Sequence, residues 1–293
     1  MKTAFLGLGV MGGYMSANLA ASGYSVKVWN RTPDRPGVKI ASEAGANVVD
    51  SIQEAVTDVD IICTCVGDIP DVEAVILGEK GIINFAKPGA IVIDFSTIGS
   101  EAARRISQQL EPAKIQFLDA PVSGGDIGAK NGTLTIMVGG DQNTFEMVKP
   151  LLETMGKKIR YCGTVGSGQG VKLCNQVLAS LNMVGICEAL LLAQKQGIDP
   201  NLVVEICSTG AAGSWALSNL GLKVAEGDFE PGFMIKHILK DLRIVQETFN
   251  SESSLPGIEL ADQLFKRVKE LDQGLGENQG TQAMIRAYQE GDS

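Results

Sequence analysis

Three glycines near the N-terminus constrain the fold of this chain most strongly. Gly7, Gly9 and Gly12 lie between a short apolar stretch, residues 3–6, and a helical pattern that precedes a second apolar stretch, residues 24–30. In such a strand, turn, helix and strand, the first glycine allows a tight turn, the second lets a pyrophosphate approach the backbone, and the third lets the helix pack on the strand. The segment therefore predicts a dinucleotide-binding unit with the phosphates at the helix N-terminus. The turn consists of Gly7, Leu8, Gly9, Val10, Met11 and Gly12.

The end of the second strand indicates which dinucleotide is bound. An acidic residue at this point normally binds the ribose 2′-hydroxyl of NAD, whereas this chain has Asn30, Arg31 and Thr32. The Arg31 guanidinium is suited to a 2′-phosphate, and Thr32 can donate a hydrogen bond to it. We therefore expect NADP(H) to be preferred over NAD(H). A solvated turn before Pro33 is the alternative interpretation.

Strand and helix patterns continue to alternate up to residue 163. Ser51 and Glu54 predict a capping box at one helix start, and Asp141 opens a later helix. The alternation predicts an α/β fold with a Rossmann-type doubly wound parallel sheet over residues 1–163. Further strands are predicted at 59–67, 90–97, 116–125, 133–140 and 158–163, and helices at 71–86 and 101–110.

Sheets of this type bind ligands at the carboxyl ends of their strands. By this rule Cys65, Val66 and Gly67 line the cofactor. Ser96 and Thr97, at the end of the next strand, are expected to approach the nicotinamide.

The segment DAPVSGG, residues 119–125, ends a strand with Ser123, Gly124 and Gly125. Two glycines bring backbone N–H groups close to a ligand, and the serine hydroxyl adds a donor. This combination suits a small carboxylate. An ordinary turn is the alternative.

A long apolar segment, residues 168–197, predicts a helix that ends at a left-handed cap at Gly197. Near its start Lys172, Asn175 and Gln176 are three and four residues apart and share one face, where we expect the chemistry. A buried lysine is costly, so one at the head of an apolar helix needs a reason. A core helix with one lysine is one alternative; a membrane span is another. The second is disfavoured because polar residues interrupt the run, at Asn175, Gln176, Asn182, Glu188 and Gln194.

The remainder of the chain has helical periodicity throughout. Residues 164–293 therefore predict an all-α domain joined to the first by the long helix, with a substrate site in the cleft between the domains. Asp199 and Pro200 open one helix, and others are predicted at 233–249, 258–271 and 277–290.

Composition narrows the classes of partner. A net charge of −9 disfavours nucleic acid and anionic membranes. Six cysteines show no paired metal-ligand spacing, and a single histidine, His237, excludes a site with several histidine ligands, so we expect no metal. Reduced thiols indicate a cytoplasmic protein. A signal peptide at the N-terminus is the alternative, and Tyr14 and Asn18 interrupt its apolar core.

Four motifs, GLGVMG, DAPVSGG, GQGVKLCNQ and KDL, occur in the order and spacing of the β-hydroxyacid dehydrogenase family, which this chain resembles over its whole length. The family includes 3-hydroxyisobutyrate dehydrogenases, tartronate semialdehyde reductases, and plant-type glyoxylate and succinic semialdehyde reductases. The resemblance implies a Rossmann domain, an interdomain helix and an all-α domain that packs in homodimers or homotetramers.

The resemblance also implies roles for individual residues. The catalytic lysine of the family falls on Lys172 and its cofactor-proximal lysine on Lys240, and its substrate loop falls on Ser123, Gly124 and Gly125. Phe233 and Asp241 match the aromatic and the acid that line the pocket in the glyoxylate and succinic semialdehyde branch. That branch also has the NRT sequence of residues 30–32.

Two features of the match leave the substrate open. Many members have asparagine four residues after the lysine, whereas this chain has Gln176 there and Asn175 before it, so either amide is a candidate for holding the substrate. The glycine pair after Ser123 is more similar to the tartronate semialdehyde enzymes.

These features predict reversible hydride transfer between NADPH and a short aldehyde that bears a carboxylate. Lys172 exchanges the proton, because partial burial of a lysine lowers its pKa toward the operating pH. Thr97 and Asn175 orient the reacting carbon. Oxidation of 3-hydroxyisobutyrate, with Trp215 as an apolar wall, is the competing prediction; imine reduction and a non-catalytic NADP-binding module are others. We expect His237 to be packed or to lie at the rim of the site, and Lys236 to be a solvated charge near it.

Overall fold

The computed structural model describes residues 1–249 and 254–289. The chain divides into two compact units, residues 1–172 and residues 173–293. The boundary falls inside one helix, so this helix contributes its first turns to the first unit and the remainder to the second.

The first unit alternates strands and helices as predicted. In chain order its elements are β1 Lys2–Leu6, α1 Val10–Ala21, β2 Ser25–Trp29, α2 Pro36–Glu43, β3 Asn47–Val48, α3 Ile52–Val56, β4 Ile61–Thr64, α4 Ile69–Leu77, β5 Ile91–Asp94, α5 Gly99–Leu110, β6 Gln116–Asp119, β7 Val122–Ser123, α6 Gly125–Asn131, β8 Leu134–Gly139, α7 Gln142–Leu152, β9 Gly156–Gly163 and the first turns of the long helix α8, which spans Ser167–Lys195.

The strands form one sheet with the order β3-β2-β1-β4-β5-β6 and parallel pairing throughout this part. This is the strand order of a doubly wound dinucleotide-binding sheet, so the predicted fold class is confirmed. Beyond β6 the chain reverses: β6 and β7 pair antiparallel with β8, and β9 pairs parallel with β8. The register places Leu6, Thr64, Asp94 and Asp119 side by side at the carboxyl ends of β1, β4, β5 and β6.

Helices cover both faces of the sheet because its strands are apolar on both sides. In β1, Phe5 joins one apolar cluster, with Met15 of α1 and Val148 of α7. Its neighbours Ala4 and Leu6 join the opposite cluster, which includes residues of α3, α4 and α5. The two cores fix the positions of the loops at the carboxyl edge.

Several helix starts follow from side-chain caps. The hydroxyl of Ser51 accepts a hydrogen bond from Glu54 N, and the carboxylate of Asp141 accepts one from Thr144 N, as the sequence predicted. The helix predicted at 71–86 is only partly correct. Helix α4 ends at Leu77, because Gly78 adopts an extended conformation, and a separate 3₁₀ turn follows at Ile82–Asn84.

Helix α8 spans 29 residues, and Gly197 behind it has φ +69°, the predicted left-handed conformation. By length and composition it is the one helix of the described chain that is apolar enough to cross a membrane.

The second unit continues with helices. They are α9 Pro200–Ser208, α10 Trp215–Glu226, α11 Ile235–Thr248, α12 Pro256–Glu270 and α13 Arg286–Gln289, with 3₁₀ turns at Asp272–Asn278 and Thr281–Ile285. Helices α11 and α12 both have strongly one-sided apolar faces, and these supply much of the core. The single helix predicted at 277–290 is wrong in detail: 3₁₀ turns occupy seven of these residues, only Arg286–Gln289 are α-helical, and residue 290 lies outside the described residues.

Candidate functional site

The turn between β1 and α1 has the geometry that a bound pyrophosphate needs. Gly7 has φ +94°, and a Cβ placed there would lie 2.3 Å from Cys65 O. A Cβ at Gly12 would lie 1.9 Å from Gly7 O, so the helix packs directly on the turn. A Cβ at Gly9, by contrast, would meet no atom within 4 Å. Gly7 thus forms the tight turn, Gly12 lets the helix pack on it, and the space above Gly9 is open.

In the part of the chain that the structure describes, no side chain caps the backbone N–H groups in the first turn of α1. Gly9 is its N-cap without a side-chain cap, and no acidic residue lies in the first turn. Free N–H groups and the helix dipole together favour an anion at this end. Gly9 and Val10 are exposed, Met11 is partly buried, and Gly7, Leu8 and Gly12 are buried.

The three residues after β2 differ in their surroundings. The Asn30 side chain accepts a hydrogen bond from Leu8 N at 2.8 Å and donates one to Thr32 O at 2.7 Å, so it shapes the turn itself. Arg31 is 80% exposed, and its Nη1 lies 2.8 Å from Oδ1 of Asp71 in α4. The guanidinium is therefore available at the surface, with one acidic neighbour.

The loops after β4 and β5 are bonded to each other. Val66 N donates to Ser96 Oγ at 2.9 Å, and Ser96 Oγ donates to Asp94 Oδ1 at 2.7 Å. Thr64 Oγ1 donates to the same carboxylate oxygen, also at 2.7 Å. The loop that contains Cys65, Val66 and Gly67 is therefore held beside Ser96 and Thr97, which lie at the end of β5.

Burial raises the pKa of the Asp94 carboxyl to about 6, and the hydrogen bonds from Thr64 and Ser96 act in the opposite direction. Within the described chain Asp94 Oδ2 is buried without a hydrogen-bond partner. Burial also raises the pKa of Asp119, its neighbour on β6, while backbone donors from Gly166 and Gln169 lower it. The edge of the sheet thus holds two buried carboxyl groups side by side.

The substrate loop predicted from DAPVSGG breaks into two short pieces, β6 and β7, separated by Ala120 and Pro121. Ser123 ends β7 and is partly buried. Gly124 has φ +133° and Gly125 has φ +63°, so both adopt conformations that L side chains rarely take. The pair is needed to turn the chain from β7 into α6.

Lys172 lies in the second turn of α8 and is 7% exposed. A lysine this deeply buried is uncommon, since removing an ammonium group from water is costly. The helix that carries it begins against the sheet: Asp119 accepts hydrogen bonds from Gly166 N at 2.7 Å and from Gln169 N at 2.8 Å. Lys172 therefore belongs to a segment with a fixed start.

In the second unit, four polar side chains form a continuous chain of contacts. Asn175 Nδ2 donates to Gln176 Oε1 at 2.9 Å, and Gln176 Nε2 donates to Asp241 Oδ2 at 2.6 Å. Lys240 Nζ lies 2.9 Å from Asp241 Oδ1, an ion pair without hydrogen-bond alignment. Gln176 and Asp241 are buried, whereas Asn175 is partly exposed. Both ends of the Gln176 amide thus have protein partners.

Phe233, His237 and Trp215 lie at helix starts of the same unit. Phe233 precedes α11, and its ring centroid lies 5.9 Å from that of His237. Burial and the charges of Lys240 and Lys236 lower the pKa of His237, with Asp241 acting in the opposite sense. Lys236 Nζ donates to Asn278 at 2.8 Å. Trp215 is the first residue of α10 and is 63% exposed.

Sequence reasoning missed three residues that organise these groups. Asp71 contacts Arg31, Asp119 anchors the start of α8, and Gln169 bridges α8 to the loop after β5. Asp119 and Gln169 lie within the motifs DAPVSGG and GQGVKLCNQ, so the signal in the sequence was a polar residue inside each motif to which no role had been given. No group of three or more His, Cys, Asp or Glu residues that could hold a metal ion occurs in residues 1–249 and 254–289.

Two family models match the chain and together span nearly all of it. One, described as the NAD binding domain of 6-phosphogluconate dehydrogenase, matches residues 2–163. The other, described as NAD-binding of NADP-dependent 3-hydroxyisobutyrate dehydrogenase, matches residues 166–288.

Individual relatives match over similar lengths. An uncharacterised oxidoreductase of Synechocystis sp. is 53% identical over 99% of this chain and 98% of its own. The 2-hydroxy-3-oxopropionate reductase of Escherichia coli is 39% identical over 90% of each chain. The solved structure of 3-hydroxyisobutyrate dehydrogenase from Mycobacterium tuberculosis with L-serine has 30% sequence identity and a TM-score of 0.87, covering 98% of both chains.

Proposed function

The chain belongs to the β-hydroxyacid dehydrogenase family of nicotinamide-dependent oxidoreductases, and from this premise we propose that it reduces short aldehydes that bear a carboxylate, with NADPH as the cofactor. The substrates we propose are succinic semialdehyde, glyoxylate and tartronate semialdehyde, and the products are the corresponding hydroxyacids. Tartronate semialdehyde is the 2-hydroxy-3-oxopropionate in the name of the Escherichia coli relative.

The residues of the first unit fit a dinucleotide. The open space at Gly9 and the uncapped N-terminus of α1 suit a pyrophosphate, and the exposed Arg31 suits a 2′-phosphate. Cys65, Val66, Gly67 and Thr97 would contact the remainder of the cofactor, together with Lys240. When bound, NADPH supplies the hydride that reduces the carbonyl carbon.

The observation that carries the proposal is the burial of Lys172 at the head of an apolar helix. As the carbonyl carbon accepts the hydride, negative charge develops on its oxygen, and the Lys172 ammonium donates a proton there to give the hydroxyl group. In the reverse direction the neutral amine takes this proton back. Proton transfer of this kind typically contributes about 10²–10⁴-fold to the rate.

The remaining residues hold the substrate. The hydroxyl of Ser123 and the backbone N–H groups of Gly124 and Gly125 would bind the carboxylate, because glycine has no side chain to cover its backbone and Gly124 is exposed. Asn175 is the amide we assign to the substrate, because Gln176 is already bonded to Asp241. We propose that Asp241 shapes the pocket beside Phe233 through its contacts with Gln176 and Lys240.

Oxidation of 3-hydroxyisobutyrate is the second candidate. Its support is the match of residues 166–288 to a 3-hydroxyisobutyrate dehydrogenase model and the exposed indole of Trp215, an apolar surface that suits a branched substrate. The two candidates differ in whether the carbon chain of the substrate is branched and in the preferred direction.

Initial rates separate the candidates. We would measure NADPH oxidation with glyoxylate, succinic semialdehyde, tartronate semialdehyde and methylmalonate semialdehyde, with NADH in parallel. Fast turnover of one of the first three with NADPH is the expected result. Preference for methylmalonate semialdehyde, with NADH equally effective, would overturn both the substrate and the cofactor proposal in favour of the second candidate.

Replacement of Lys172 by alanine tests the acid directly. We expect turnover to fall by at least about 10²-fold, because proton donation to the alkoxide is lost, while the Kd for NADPH changes little. Stopped-flow kinetics and NADPH fluorescence titration measure the two quantities. The control is Lys195→Ala, an exposed lysine in the last turn of the same helix, which should leave both unchanged. Near-normal turnover of Lys172→Ala would refute the assignment.

Replacement of Arg31 by alanine tests the cofactor preference. We expect the KM for NADPH to rise by about 10–100-fold, the effect of losing a hydrogen bond to a charged group, with the KM for NADH nearly constant. Asp71→Asn is the control, since it removes the ion pair and leaves the guanidinium in place, so NADPH preference should persist. Equal changes for both cofactors in Arg31→Ala would contradict the 2′-phosphate role.

We also propose a homodimer or homotetramer. The support is a set of large apolar side chains exposed on helices, including Leu178, Leu192 and Ile206. Light scattering coupled to size exclusion gives the mass, and a monomer at micromolar concentration would contradict this proposal.

A further inference from the structure

A buried carboxylate holds the start of the helix that carries Lys172. Asp119, at the end of β6, is fully buried, and its two oxygens accept hydrogen bonds from Gly166 N and Gln169 N at 2.7 and 2.8 Å. The helix start packs so closely that a Cβ at Gly168 would lie 2.3 Å from Met137 O. The first turn of α8 therefore has a fixed position on the sheet.

Gln169 extends this anchor to a second strand. Its side chain is fully buried, and Oε1 accepts hydrogen bonds from Ile98 N and Gly99 N, each at 3.0 Å. Its Nε2 donates to Ser96 O at 2.7 Å. One amide thus accepts hydrogen bonds from two backbone N–H groups at the start of α5 and donates one to a carbonyl of the loop after β5. The same loop contains Thr97.

Three segments of the first unit meet at these two side chains. Asp119 begins the DAPVSGG segment that leads to Ser123, and Gln169 contacts the residues on either side of Thr97. Lys172 follows Gln169 by three residues on the helix, a rise of about 4.5 Å on nearly the same face. A shift of the helix start would therefore move Lys172 relative to both loops.

We propose that Asp119 and Gln169 are positioning residues, which fix the Lys172 ammonium group relative to the loops of Thr97 and Ser123. The inference rests on the proposed role of Lys172 as the proton donor. A displacement of about 1 Å in a catalytic group is sufficient to lower a rate by roughly 10²-fold. The two residues act through Lys172 and do not take part in the chemistry.

A double-mutant cycle tests this mechanism, because residues that act through one another give non-additive effects. Gln169→Met removes all three side-chain hydrogen bonds with little change in volume. In the wild-type background we expect kcat to fall by about 10–10²-fold with the Kd for NADPH within about threefold. In the Lys172→Ala background the same substitution should change kcat by less than about threefold, because no positioned ammonium remains.

Asp119→Asn provides a second route through the cycle. It keeps the shape of the side chain and one acceptor oxygen. If Gln169→Met does not fold, Asp119→Asn can take its place in the double-mutant cycle with Lys172→Ala. Circular dichroism and thermal melting establish folding for each protein. A control is Gln53→Met, which alters an exposed glutamine in α3 and should leave kcat unchanged.

The outcomes separate the inference from the proposed function. If Lys172→Ala is slow and the cycle is non-additive, both stand. If Lys172→Ala is slow but Gln169→Met and Asp119→Asn cost the same factor in both backgrounds, positioning is refuted and the role of Lys172 remains. If Lys172→Ala turns over at a nearly normal rate, the proton-donor role fails and the inference fails with it.

Discussion

Gly7 and Gly9 lie two residues apart and have opposite surroundings in the folded chain. Gly7 has φ +94° with a backbone oxygen where a Cβ would be, whereas Gly9 has φ −69° and open space. Alanine at Gly9 should therefore change the free energy of unfolding by less than about 1 kcal/mol. Because its methyl group occupies the approach to the backbone, we expect the KM for NADPH to rise by at least about tenfold.

Alanine at Gly7 is the matched control for this prediction. Both the left-handed conformation and the contact with Cys65 oppose a side chain, so stability itself should fall by about 1–3 kcal/mol. Denaturant melts and cofactor titrations of the two variants measure both effects. An unchanged NADPH affinity in Gly9→Ala would show that no phosphate approaches this residue.

For single residues, the sequence predicts turns, caps and helix faces better than it predicts hydrogen-bond partners. The glycine turn, the caps at Ser51 and Asp141 and the helical face of Lys172 all follow from local spacing. The contact between Gln176 and Asp241 joins residues 65 apart in the chain. Periodicity indicates which way a side chain points but not what lies opposite, so this contact required the structure.

Among the elements, helix α8 contains a glycine whose replacement should stabilise the protein. Gly185 lies inside the helix, is exposed, and has no atom within 4 Å of the position of a Cβ. Gly185→Ala should therefore raise the free energy of unfolding by about 0.5–1 kcal/mol, because the unfolded chain loses backbone freedom. Urea denaturation of the variant and the wild type gives the difference. A destabilised variant would indicate that a second subunit covers this part of the helix.

Long helices are the elements whose bounds follow best from the periodicity of the sequence. Long periodic segments such as α8 and α11 were predicted within a few residues of their ends. Helix α10 lies in the part predicted to be helical throughout but was given no bounds of its own, and α2 and β3 were not predicted. Strand β3 has only two residues and is defined by its pairing with β2, so its local sequence contains little signal.

For the molecule as a whole, the two buried carboxyl groups at the edge of the sheet should make the free energy of unfolding depend on pH. Asp94 has a pKa of about 6 in the folded chain against 3.8 ordinarily, so the folded state binds more protons than the unfolded state between these values. Its contribution is most favourable below about pH 4 and is lost as the pH rises through 6, by up to about 3 kcal/mol. The raised pKa of Asp119 acts in the same direction.

Chemical denaturation at pH 5 and pH 8 tests this dependence. The wild type should exceed Asp94→Asn in stability by a larger margin at pH 5 than at pH 8. Asp141→Asn is the control: hydrogen bonds from Thr144 lower the pKa of Asp141, so its carboxylate stays ionised and its margin should be the same at both pH values. A constant margin for Asp94→Asn would show that its carboxyl does not titrate in this range.

The helix shared by the two units also determines how the chain can be divided. Proteins tolerate proteolytic cleavage and chain breaks mainly at exposed loops. The boundary between the two units, at residues 172 and 173, instead lies within 29 continuous helical residues. A fragment that ends at residue 172 keeps only six residues of α8. The other fragment starts inside the helix, without the hydrogen bonds that Asp119 accepts at the helix start. We therefore expect limited proteolysis to cut this protein elsewhere and separately expressed halves to fold poorly, so a variant of either unit has to be made in the full chain.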